Sequence, residues 1–271
     1  MSDDTGARID RKAQTRATFD RIAPDYDAAG PGCFAHFGRR LIDETGIEPG
    51  QRVLDIATGR GAVLLPAAER VGATGTAIGI DLSEGMVRAA QGEAASHGLR
   101  AEVRVMDAEH LAFPDASFDR VLCGFGLMFF PDLPQALAEC RRVLRPGGRL
   151  GVSTWRVTQA NDLETVLARL GFAAPLNVPL PLRDPAEVND VLVAAGFAGV
   201  RVREDVATFR YASVAQYWQN ARGTGMRRWL DVLDTTQTAH AMTALEEQMQ
   251  PHQRGNAILL DATALLAVAD R

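Results

Sequence analysis

Val53-Leu54-Asp55-Ile56-Ala57-Thr58-Gly59-Arg60-Gly61 decides how this chain must fold. Its apolar start carries a strand to Asp55, and the glycines at 59 and 61 let the backbone turn sharply into a helix expected from near Ala62. Without a Cβ, Gly59 and Gly61 allow the chain to lie against a flat or crowded ligand. Asp55 falls at the carboxyl end of the strand, where open α/β sheets take their ligands. A glycine pair alone also marks ordinary tight turns, so its weight depends on the residues C-terminal to it. The dinucleotide fingerprint needs a third glycine three residues after the second, and that position is Leu64. Pyrophosphate is therefore disfavoured, and the expected ligand is a nucleoside without phosphates.

Downstream, Thr76-Ala77-Ile78-Gly79-Ile80-Asp81 is a second apolar run ending in an acid, 20 residues beyond Gly61. A carboxylate there can accept both hydroxyls of a ribose. Ser83 is expected as N-cap of the next helix; the bland reading gives Asp81 that role instead, but its position at a second strand end favours the ligand reading. Ala101 to Met106 alternates toward Asp107-Ala108, a third strand tip with an acid, and Arg120–Gly124 and Arg149–Thr154 read as further strands. Asp132 is placed to cap a helix with Pro134 in its first turn, and Pro146-Gly147-Gly148 is expected to stop it. Alternating strands and helices predict a doubly wound, mostly parallel sheet.

Upstream, a helical pattern runs from Ile9 to Ala23, preceded by polar residues 1–8 that are expected outside it. Phe19, Ile22 and Tyr26 lead to Gly30-Pro31-Gly32, which reads as a movable lid; the alternative is an apolar stripe docked on the core. At 271 residues, with 46% hydrophobic and 23% charged, the chain can bury a large core. Its net charge of -5 and pI near 5.6 argue against a nucleic-acid partner. Cys33, Cys123 and Cys140 are odd in number and form no C-x-x-C pair. Neither a disulfide framework nor a cysteine metal site is suggested, and a reduced, cytoplasmic protein without an integral membrane segment is expected. Lys12 is the only lysine.

The residues resemble the class I S-adenosylmethionine-dependent methyltransferases, in particular the branch with the ubiquinone and menaquinone biosynthesis C-methyltransferases. The resemblance runs collinearly from Phe19 to Thr154, through V-L-D-I-A-T-G-R-G at 53–61, G-I-D-L-S at 79–83, D-A-E at 107–109, F-D-R-V at 118–121 and R-V-L-R-P-G-G-R-L at 142–150. It implies a seven-stranded Rossmann-like sheet with an antiparallel last strand and a helical cap. It also implies S-adenosylmethionine, or S-adenosylhomocysteine, as cofactor. By that resemblance Asp55, Ala57, Gly59 and Gly61 approach the methionine part and Asp81 the ribose. Leu82 and Met86 would take the adenine faces and Asp107 with Ala108 its edge, while Cys123 and Gly124 would line the strand tip beneath the sulfonium. Tyr26, matching a tyrosine-aspartate pair of the family, would close over the methyl group. The chain departs from the pattern at Gly126-Leu127-Met128-Phe129-Phe130-Pro131-Asp132, where relatives place histidine or asparagine. That leaves an aromatic wall suited to an apolar substrate.

Residues 1–50 are thus expected as an N-terminal helical lid, 51–155 as the cofactor-binding core, and 156–271 as the rest of the sheet with substrate-cap helices at about 213–250. Asn161–Leu170 and Asp184–Ala195 read as helices, Val200–Tyr211 as a strand and Ala264–Ala269 as the closing strand. His36 is the only histidine expected as a base, while His97, His110, His240 and His252 lack metal-site spacing. The expected activity is methylation of an apolar small molecule, such as a quinone or polyketide, at oxygen or carbon, without metal; a homodimer is an admissible assembly. Two alternatives keep a different chemistry: a cofactor-binding cyclase or rearrangement catalyst of the same fold, and a nicotinamide oxidoreductase, which the missing third glycine disfavours.

Overall fold

The computed structural model describes residues 2–156, 161–172 and 182–271. The central strand β1 (Arg52–Ile56) is buried from Val53 onward, as a continuous apolar run covered on both faces requires. It pairs in parallel with β2 (Thr76–Asp81) and with β4 (Phe118–Gly124), placing Leu54 beside Ile78 and Val121. β3 (Ala101–Val105) extends the sheet beyond β2, and β5 (Leu144–Trp155) lies beside β4. The sheet order is β3-β2-β1-β4-β5-β8-β6, so the chain reverses direction on either side of β1. In open α/β sheets the ligand crevice lies at that switch point, here over the carboxyl ends of β1 and β4.

The last long strand, β8 (Ala257–Asp270), runs antiparallel between β5 and β6 (Ala198–Tyr211). The seven expected strands all form this path. An eighth, β7 (Gln253–Arg254), pairs only with the start of β8 and is too short to leave a hydrophobic alternation in the sequence. β8 also begins seven residues before Ala264, because its first half pairs with β6 outside the buried centre.

Two apolar layers cover the sheet. One packs α2 (Cys33–Thr45), α3 (Leu64–Val71) and α6 (Asp162–Arg169) on one face, with Phe37, Leu41 and Leu64 fully buried. The other sets α5 (Leu133–Val143) and α7 (Pro185–Ala194) against Phe118, Val121 and Leu265. Each such side chain contributes about 1.5–3 kcal/mol by leaving water. Caps fix the helix starts: Asp132 accepts from Gln135 N, and Asp184 precedes Pro185 and accepts from Ala186 and Glu187 N. α5 stops at Val143, earlier than Pro146-Gly147-Gly148, because Leu144 is already extended and opens β5.

Helix α1 (Ser2–Ile22) includes most of the polar residues expected outside it. Its C-terminal turn buries Ile22 and Ala23 against Met86 of α4 (Glu84–Ser96), with Phe19 and Tyr26 alongside. The helices α8 (Val214–Arg222), α9 (Arg227–Leu230) and α10 (Thr235–Met249) fill the interval between β6 and β7. They meet the segment after α1 through Gln216 Nε2, which donates to Ala29 O at 3.0 Å, and Asp27 N, which donates to Gly223 O at 3.2 Å.

Candidate active site

The turn after β1 is held from below. Thr58 N donates to Ile80 O (2.9 Å), which ties the loop to β2, and Gly61 N donates to Thr58 O (2.8 Å). This extra turn delays α3 to Leu64. Ala57 and Gly59 have φ of 54° and 55°, in the left-handed region that glycine enters freely and alanine enters at a cost. Asp55 is 1% exposed; its Oδ2 accepts from Thr58 Oγ1 at 2.6 Å, while Oδ1 is buried without a partner. Burial pushes the Asp55 carboxyl up to about 7, with the Thr58 hydroxyl pulling the other way and nearby Asp81 adding to the rise.

At the tip of β2, Asp81 Oδ2 accepts from Gly59 N and Oδ1 from Ser83 N, each at 2.9 Å. Each oxygen keeps a second lone pair for a ligand hydroxyl. Ser83 caps α4 by accepting from Met86 N. Helix α1 reaches the same place: Asp20 Oδ1 accepts from Ser83 Oγ (2.6 Å) and Gly85 N (2.9 Å). At the tip of β3, Asp107 Oδ1 accepts from Glu109 N (2.9 Å), and its Oδ2 takes Lys12 Nζ at 2.6 Å and faces His110 Nδ1 at 3.3 Å. Burial alone would raise the Asp107 carboxyl, but Lys12 and the Glu109 amide hold it below its ordinary value.

These tips border two adjoining cavities. The first runs from Asp107 and Ala108 past Leu82, Met86 and Asp81, under Lys12 and Phe19 of α1. The second opens toward Asp27, Asp55, Arg60 and Glu93. They share one wall, formed by Tyr26, Ala57, Gly59, Gly124 and Phe125. Aromatic rings crowd that wall. Tyr26 stacks on Phe34 (5.4 Å, 19°) and meets Phe19 edge-on, while Phe34 meets Phe125 and Trp155 edge-on. Phe129 and Phe130, from the apolar loop after β4, complete the first cavity.

The structure brings together Tyr26, Asp55, Ala57, Gly59, Asp81, Leu82, Met86, Asp107, Ala108 and Gly124 along these two cavities. Three expected residues lie off them. Cys123 is fully buried in the opposite layer because successive strand residues face opposite sides, and Gly124 takes the cavity side. Gly61 serves the turn itself; a Cβ there would sit 3.1 Å from Leu65 Cγ. His36 is turned away, its side chain 42% exposed and its Nε2 3.8 Å from Asp205 Oδ2, with Phe37 and Phe209 flanking the ring. Tyr217 and Trp218 of α8, in the stretch expected as substrate cap, pack in the core beside neither cavity. Lys12, Asp27, Phe34, Arg60 and Phe125 border the cavities although sequence pattern gives them no site role. Two of them carry a signal in the sequence: Lys12 is the single lysine, and Asp27 is the acid of the tyrosine-aspartate pair.

Carboxylates at the tips of β1, β2 and β3 around a glycine turn are those of a Rossmann-like protein that takes a nucleoside at the switch point of its sheet. Residues 53–148 match the family described as a methyltransferase domain. The chain is 38% identical to the nocamycin O-methyltransferase of Saccharothrix syringae over 262 residues, 89% of this chain and 92% of that protein. It is 37% identical to the ubiquinone/menaquinone biosynthesis C-methyltransferase of Hydrogenovibrio crunogenus over 153 residues, 54% of this chain and 60% of that one. The crystal structure of the YcgJ protein from Bacillus subtilis shares the fold, with a TM-score of 0.59 at 23% identity over 87% of this chain and 98% of that one. The chain belongs to the S-adenosylmethionine-dependent methyltransferases. The residues present fit that cofactor: Asp81 offers free lone pairs at the tip of β2, on the rim of the first cavity. Among the described residues, no helix is long and apolar enough to cross a membrane.

Proposed function

We propose that the chain methylates an oxygen of an apolar small molecule, with the acceptor held against the aromatic wall shared by the two cavities. The observation that carries this reading is the aromatic lining: Tyr26 and Phe125 stand in the shared wall, Phe129 adds a ring to the first cavity and Phe34 to the second, and none of the five histidines borders either. Bound S-adenosylmethionine supplies a methyl group on a sulfonium cation. Asp81 would accept from the ribose hydroxyls, Leu82 and Met86 would pack the adenine, and Asp107 with Ala108 would meet its edge. The ring faces of Tyr26 and Phe34 suit a cation and exclude water from it. Such a wall works mainly by holding the acceptor in line with the methyl group, which can lower a barrier by about 7 kcal/mol or more without an acid or base. Oxygen is favoured over carbon because the relative matched along nearly the whole chain is named an O-methyltransferase. The test is to incubate the protein with carbon-13 methyl-labelled cofactor and an extract of its producer. A labelled apolar product whose methyl carbon resonates as a methoxy group is expected. Label on ring carbon would move the acceptor atom, and label only in polar products would overturn the proposal.

A further inference from the structure

We propose that Asp27 is a binding residue for the amino-acid end of the cofactor, receiving its α-ammonium group in the second cavity. This rests on the adenosine half lying along Asp81, Leu82, Met86 and Asp107, all of which border the first cavity. The two cavities meet at the wall that Tyr26, Ala57 and Gly59 provide. A ligand whose adenosine fills the first therefore sends the rest of its length past Tyr26 into the second.

The charged side chains of that second cavity are Asp27, Asp55, Arg60 and Glu93. Arg60 is already engaged, donating to Glu93 Oε1 at 2.5 Å and to Pro24 O at 2.9 Å. Asp55 is sealed beneath the turn. Asp27 remains, and among the described residues no side chain donates to its carboxylate, while Oδ1 is buried without a partner. Burial raises this carboxyl to about 6 against the pull of Arg60, as befits an acid that lacks its cation.

The backbone holds Asp27 for such a task. Its φ of 54° lies in the left-handed region, fixed by Asp27 N donating to Gly223 O and by Gly30 N donating to Asp27 O at 3.3 Å. A Cβ on Gly30 would fall 2.3 Å from Asp27 Oδ1 and equally close to Asn220 Oδ1, the cap's own orphaned acceptor. The Asn220 NH₂ group is directed elsewhere, donating to Tyr211 OH at 3.3 Å, so the Asp27 carboxylate keeps its need for a cation. Gly30 thus leaves the room that the Asp27 carboxylate occupies at the edge of the second cavity.

The test measures calorimetric binding of two probes: S-adenosylhomocysteine, and 5′-methylthioadenosine, which has the adenosine and sulfur but no amino-acid end. Asp27→Asn suits the left-handed backbone and should weaken S-adenosylhomocysteine by about tenfold or more. Its effect on methylthioadenosine should stay under about threefold. Asp27→Gly, which also tolerates that backbone, should behave alike. An equal loss for both probes, or no loss for either, overturns the proposal while leaving the adenosine site standing. If wild type binds neither probe, the site reading fails and this proposal falls with it.

Discussion

Lys12 Nζ lies 2.6 Å from Asp107 Oδ2 and 2.5 Å from Glu109 Oε2, so the chain's only lysine straps helix α1 across the strand tip expected to read adenine. Arg8 of the same helix pairs with Asp132. Burial opposes the charge on Lys12, yet the two carboxylates hold its ammonium above the ordinary lysine value. The other end of α1 is fixed by packing at Ile22 and Ala23. One end is thus a hinge of apolar contacts and the other a latch of ion pairs. Lys12→Met should therefore speed S-adenosylhomocysteine release about fivefold, the worth of an ion pair of ~1 kcal/mol. Stopped-flow displacement reads this, and an unchanged release rate would show that α1 does not hold the ligand.

Asp81→Ala should weaken S-adenosylhomocysteine binding by roughly 1.5–3 kcal/mol, because a charged acceptor is lost. The same change frees Gly59 N and Ser83 N, so some loss of thermal stability should accompany it. Calorimetry on the folded variant decides the point; wild-type affinity would remove Asp81 from the site.

Tyr26→Ala should lower turnover far more than any histidine substitution, since Tyr26 borders both cavities and no histidine borders either. His36→Ala should leave kcat within about threefold, against its expected part as a base, because its ring faces Asp205 and Phe209. Assays at saturating cofactor, on the acceptor identified by labelling, give the comparison. A His36→Ala variant that loses turnover while Tyr26→Ala retains it would refute the positioning mechanism.

The Asp55 carboxyl, raised to about 7 by burial, makes a prediction about pH. A group whose folded value is raised favours the folded state while it stays protonated, so stability should fall as pH rises from about 4 to 7 and then level off. Asp55→Asn should flatten that decline, by on the order of 4 kcal/mol. Melting temperatures across this range test it, and a variant with the same slope as wild type would mean that Asp55 is ionised when folded.

A Cβ on Gly126 would fall 2.7 Å from both Ala57 Cβ and Cys123 Sγ. Gly126→Ala should cost about 1–3 kcal/mol through overpacking. Adding Ala57→Gly should recover part of it, because one clash disappears and the left-handed position at 57 relaxes. Chemical denaturation of the single and double variants provides the measurement, with strictly additive losses as the contrary result.

The fold was legible wherever local pattern and topology agreed. The apolar runs ending in Asp55, Asp81 and Asp107 could only be strand tips of a parallel sheet, and Ser83, Asp132 and Asp184 announced helix starts that the structure retains. The site was legible on the same strands, since their order fixes which tips share a rim. Side-chain direction was less so. Cys123 and Gly124 could not both face one cavity, a constraint that the two-residue period of a strand already contains. His36, Lys12 and Asp27 sit on segments outside the sheet, where sequence spacing gives no facing direction and packing against α4, β6 and the cap decides it.

The place of β8 between β5 and β6 has a consequence for how the molecule assembles. β6 is complete at Tyr211, yet its neighbour does not begin until Ala257, and all of α8, α9 and α10 lie between. Closing this half of the sheet therefore waits on contacts between residues far apart in sequence, such as Ala198 with Asp270. Pairing at such separation is slow because a long loop must be closed before any contact is gained. Until it forms, β6 has both edges open, and β5 one of its own, on which another chain could add a strand. Refolding should therefore show an early phase in the β1–β4 half and a later one as β8 pairs with β5 and β6, read by hydrogen-exchange protection of their amides.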